Sequence, residues 1–136
     1  MIDLNSRIVT EDTDTVSINT LGEMKWEDGA CQLLYETRDE DGTVCATRIV
    51  VEDDTVSVSQ QGSTRSLLSI REGNRSLSQY QTAYGALAVG VTGYRVRSSL
   101  TPDGGSLLLE YDVDINASAV SKNIIEIHVR RVSNDV

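Results

Sequence analysis

The side chains able to do chemistry are few and scattered. His128 is the only histidine, and histidine is the commonest general base. It shares a strand face with Glu126 and Arg130, opposite Ile125 and Ile127, so it reads as a solvent-facing residue. A single histidine also leaves no multi-histidine zinc site. The acidic runs Asp39-Glu40-Asp41 and Glu52-Asp53-Asp54 lack the alternating Asp/Asn ligands and distal Glu of a calcium loop, and read as solvated turns. Glu110, Asp112 and Asp114 form a carboxylate row. Paired carboxylates do acid–base work when burial separates their pKa values, but alternation with Leu109, Tyr111 and Val113 turns these outward. Gly85, Gly90 and Gly93 punctuate an apolar segment with no helix after it, so they are no phosphate cradle. They mark bends or bulges. Ala86, Ala88 and Gly90 share one face, which leaves room for a ligand or lets a neighbouring element approach. Ser63, Ser66, Ser69, Ser76 and Ser78 lie outside any Gly-x-Ser-x-Gly element. The residues therefore predict no catalytic set, no metal site, no cofactor and no enzyme.

One charge asymmetry stands out. Between Thr55 and Thr101 the basic residues are Arg65, Arg71, Arg75, Arg95 and Arg97, and the one acid is Glu72. That segment carries +4 in a chain of net charge −9. The arginines either pair with acidic strands across the fold, or line a patch that grips an anion bidentately. On the second reading the candidate ligand-binding residues are Arg65, Arg71, Arg75, Tyr80, Tyr84, Arg95 and Arg97.

The elements that must position these residues are strands. Val16 and Ile18, the odd positions from Leu107 to Ile115, and Ile125, Ile127 and Val129 alternate with polar neighbours, the period of antiparallel strands with one wet face. Val44 to Val51 and Tyr84 to Tyr94 are apolar on both faces, as in more covered strands. Turn residues recur at 11–14, 27–29, 39–42, 53–54, 61–62, 72–74, 101–105 and 116–121. Ser63 to Glu72 is the best helical candidate, though Leu67, Leu68 and Ile70 fit either period. The chain predicts one all-β domain over 1–136: an antiparallel barrel of about eight to ten strands, closed to remove its edges, with a β-sandwich as the alternative.

Composition bounds the rest. The 136 residues suit one domain that buries roughly 68% of its unfolded surface. With one Trp, five Tyr and no Phe, the core must come from Val, Ile, Leu and Ala, which suits pleated surfaces. The charge of −9 is the opposite of a nucleic-acid binder's and disfavours an anionic membrane. The chain begins Met1-Ile2-Asp3-Leu4-Asn5 with neither basic nor apolar leader, and has no run of roughly 20 apolar residues. A soluble, cytoplasmic protein is expected. Cys31 and Cys45 flank the 39–42 turn. Pairing around it sets Cys31 near Val50 and Cys45 near Glu36, roughly 16 Å apart, beyond the roughly 7 Å Cα limit of a disulfide. Free thiols are expected.

Trp26-Glu27-Asp28-Gly29, Leu33-Leu34-Tyr35-Glu36, Gly62, Gly73, Tyr80-Gln81-Thr82-Ala83-Tyr84-Gly85 and Leu107 to Tyr111 together resemble the YwiB-like family, a bacterial domain-of-unknown-function family with a calycin-like (lipocalin- and streptavidin-type) barrel. The resemblance spans nearly the whole chain and implies the fold, but no activity. The family often has Arg two residues before the equivalent of Gly62, where this chain has Gln60.

The expected function is a non-enzymatic binding module for a small anionic or amphipathic ligand in or near the barrel mouth. The alternative is a protein-interaction or regulatory domain with a filled barrel. A cavity lined by Tyr and Arg favours the first, and a filled barrel with an exposed apolar patch favours the second.

Overall fold

The computed structural model describes residues 2–10, 15–38, 42–62, 65–82, 85–115 and 118–132. Among these residues ten antiparallel strands run in chain order: β1 Ile2–Thr10, β2 Thr15–Glu27, β3 Ala30–Arg38, β4 Val44–Glu52, β5 Thr55–Gln61, β6 Arg65–Arg71, β7 Arg75–Thr82, β8 Gly85–Ser98, β9 Gly104–Ile115 and β10 Ser118–Arg131. Each pairs with the next, and β1 pairs with β10, so the sheet closes into the expected barrel. Among the described residues no helix is long and apolar enough to cross a membrane.

Alternation builds the core. Leu33 opposes Ile49, which opposes Val58, which opposes Leu68. Leu107 and Leu109 oppose Ile127 and Ile125. Leu4, Leu33, Val56, Ile70, Val91, Leu109 and Ile127 are wholly buried, so side chains fill the middle of the barrel. Above them the inward layer turns polar, where Thr47, Gln60, Ser66 and Tyr80 follow one another across β4 to β7.

The turns obey their residues. Asp28-Gly29 closes β2–β3 with φ of 52° and 82°, the left-handed pair of a tight two-residue hairpin. The helical candidate at 63–72 is corrected: its described part is β6, because Ile70 and Leu68 complete the ladder against Val56 and Val58 while Leu67 faces solvent. Gly93 sits at a register shift in β8, one of the expected bulges.

Both thiols are free. Cys31 opposes Val51 and Cys45 opposes Thr37, one residue from the expected register. Burial pushes the Cys31 thiol up to about 11. Because the fold holds this proton more tightly than the unfolded chain does, its contribution is complete below about pH 8.5 and fades as pH rises toward 11. Urea midpoints should therefore fall between pH 8.5 and 11, less steeply in Cys31→Ala. Equal slopes in the two proteins would show that Cys31 does not take part.

Candidate binding groove

Most of the arginines are neutralised within the chain. Arg75 on β7 reaches across β8 to Asp114 on β9, its Nε donating to Oδ2 at 3.0 Å and its NH2 group to Oδ1 at 2.6 Å. The guanidinium lies where a side chain on Gly90 would stand, so the close approach expected around Gly90 is that of Arg75. Arg97 donates to Glu72 at 2.7 Å. Arg71 donates to Asp54 at 3.3 Å, and Arg95 stands 3.9 Å from Glu110. The Tyr94 hydroxyl donates to Asp112 at 2.8 Å, and that hydrogen bond, with the carboxylate's charge, pushes the phenol up. The carboxylate row of β9 thus points outward and meets Arg95, Tyr94 and Arg75 in turn. These contacts make a compensated strip on the outer wall, in which Arg71, Arg75, Arg95 and Arg97 each face a carboxylate.

Arg65 stands apart, at the upper end of β6. Tyr80 lies at the same end of β7, opposite Ser66 and Leu87. Tyr84 falls outside the described residues. His128 is exposed, as expected. Among the described residues no group of His, Cys, Asp and Glu could hold a metal ion.

Arg65 belongs to a different feature. Two rows of outward side chains run around the barrel wall, across the strands. One row is Glu23, Leu34, Arg48, Ser59, Leu67 and Gln79 on β2 to β7. The row above it is Glu36, Ala46, Gln61, Arg65 and Gln81 on β3 to β7. Between the rows lie a cleft of about 580 Å³ over β2–β5 and one of about 300 Å³ over β5–β7, and they meet at Ser59 and Gln61. The short side chains of Ala46 and Ser59 leave the floor low.

The strands explain the opening at its near end. Pairing between β2 and β3 stops at Gly22 and Tyr35, and above that point the strands part around a third cleft of about 450 Å³. Tyr35 stands at this junction opposite Thr47 in the β3–β4 ladder. Burial pushes its phenol up, and a side-chain hydrogen bond with Thr47 offsets part of the effect.

The groove is polar at both ends and carries uncompensated charge. Arg48 donates to Gln32 Oε1 at 3.1 Å. Among the described residues neither Arg48 nor Arg65 has a carboxylate partner.

The family model for a domain of unknown function, DUF1934, matches residues 2–127. The chain belongs to the DUF1934 family. The barrel is similar to the crystal structure of ywiB protein from Bacillus subtilis, with a TM-score of 0.85 and 18% identity over 97% of this chain and 92% of that one. A search of curated proteins returns no match. At that identity the likeness shows the fold alone.

For this DUF1934 domain, the sequence reading singled out Arg65 and missed Arg48, Glu36 and the glutamines of β7. Arg48 did carry a signal: it is the one charge inside the apolar run Val44 to Val51. The arginine count pointed instead to residues with partners 15 to 39 positions away in sequence, pairings that spacing alone does not reveal.

Proposed function

We propose that this DUF1934 domain is a non-enzymatic binding module whose ligand, a small amphipathic anion, lies in the outer-wall groove and not inside the barrel. The observation that carries this reading is the pair Arg48 and Arg65, which flank a groove of ligand size and have no carboxylate partner among the described residues. Their forks suit a carboxylate or phosphate. Leu34 and Leu67 stand in the same row, so an apolar tail has surface to cover. The filled middle of the barrel argues against an internal site.

Titration with decanoate below its micelle concentration tests this. Saturable binding is expected, weakened roughly three- to tenfold in Arg48→Gln/Arg65→Gln, as for two partly solvated ion pairs, and reduced at high salt. Arg71→Gln, which touches only the compensated strip, should bind as the parent does. Absence of binding, or equal loss in Arg71→Gln, would sink the groove reading.

A second reading, a protein-interaction domain, draws on Leu77 and Leu67, which are 73% and 56% exposed on adjacent strands. Leucines this open on a barrel wall suit contact with another chain. Chemical cross-linking of cell extract should then capture a partner that Leu77→Ser loses, and an identical pattern for both proteins would count against it.

A further inference from the structure

A simple anion leaves half of the groove's charge unexplained. Arg48 lines the larger cleft and Arg65 the smaller cleft that adjoins it at Ser59 and Gln61, whereas Glu23 and Glu36 stand at the β2–β3 end of the larger one. Glu36 has no basic partner among the described residues. Glu23 is only 4.0 Å from Lys25, and both side chains are about two-thirds exposed. An amphipathic anion held by the arginines would sit in a groove with two carboxylates, Glu36 without a basic partner among the described residues and Glu23 only loosely paired with Lys25.

Resting on the groove reading above, we infer that the natural occupant is a short extended peptide segment of a partner protein. It carries a basic residue toward Glu23 and Glu36 and an acidic residue toward Arg48 and Arg65. Strand spacing sets the interval. Glu23 to Arg48 spans two strand spacings and Glu36 to Arg65 spans three, about 10 to 14 Å at about 4.8 Å each. An extended chain covers that distance in three to four residues at about 3.3 Å per residue. Only an even interval keeps both charged side chains on the face turned to the groove, so the two residues are four positions apart. The residue midway between them also faces the wall, over Leu34 and Ala46, where an apolar side chain is accepted. Beyond the arginines, Gln61, Gln79 and Gln81 offer amides that can donate to and accept from a peptide backbone. From β3 to β7 the barrel's own backbone groups are engaged in its ladders, so recognition there runs through side chains.

The test uses fluorescent heptapeptides with Lys and Glu four positions apart on an alanine–leucine background, made in both chain orders. Partner peptides replace both charges by Gln or make both Glu. Fluorescence anisotropy at low salt should show at least one order of the bipolar peptide binding threefold or more tighter than either partner peptide. Glu36→Lys should remove that preference and tighten decanoate binding, because it exchanges a groove carboxylate for an ammonium group. Circular dichroism confirms that this exposed variant folds. If decanoate binds and the bipolar peptides do no better than the neutral ones, the peptide assignment is overturned and the groove reading survives. If neither probe binds, both fail. A bipolar preference that persists in Glu36→Lys also overturns the assignment, because it then owes nothing to the acidic end.

Discussion

Ile127→Ala should lower the unfolding free energy by about 2–5 kcal/mol, the range for truncating a buried aliphatic side chain whose surroundings cannot fully collapse. Ile127 has no exposed surface. It lies on β10 opposite Leu107 of β9, one pair along from Ile125 and Leu109. A closed barrel limits relaxation, since each wall strand is hydrogen-bonded on both sides and cannot slide into the void. Domains of this size are stable by only about 5–15 kcal/mol, so the variant should unfold at much lower urea with an unchanged m-value. The adjacent His128→Ala, on the exposed face of the same strand, should cost less than about 0.5 kcal/mol. Similar losses for the two would mean that β10 is turned the other way.

Gly93→Val should be comparably damaging for a different reason. Gly93 lies where the end of β6 crosses against β8: its carbonyl accepts from Gly73 N at 2.9 Å and its N–H donates to Asn74 O at 3.0 Å. A side chain there would run into the backbone of Arg71, including its carbonyl. Backbone cannot swing aside as a flexible side chain can, so the valine must push the 72–74 turn away and lose both hydrogen bonds. Overpacking and two broken bonds together cost roughly 3 kcal/mol or more. Gly62→Ala is the comparison, because its nearest neighbours would be 3.4 Å away; a small effect is expected there. Thermal melts of the pair decide the matter, and a Gly93→Val protein as stable as Gly62→Ala would refute the crossing.

Much of this architecture was readable because strand alternation is local. Leu107, Leu109 and Tyr111, with Ile125, Ile127 and Val129, announced an inner face, and the same faces are buried. The outward direction of Glu110, Asp112 and Asp114 followed from the same period. Ser63 to Glu72 was ambiguous because adjacent leucines satisfy either period. Only the ladder with β5, which needs Ile70 inside against Val56, resolves Arg65–Arg71 as a strand. The cysteine register was one residue off because the turn between β3 and β4 was centred from residue type, and strand pairing depends on the whole hairpin.

The chain's composition and alternation determined the all-β class and the inner and outer faces, since each depends on neighbours within a few residues, and the free thiols followed from pairing within a single hairpin. The groove and the fate of the arginines were decided by tertiary structure. Barrel closure sets β7, β8 and β9 side by side, so that Arg75 meets Asp114 across a glycine. The same register sets Arg48 and Arg65, two strands apart, along the two adjoining clefts of the groove. The physical reason is register: which charges meet depends on how strands distant in sequence are staggered, and that stagger is set by packing the whole barrel at once.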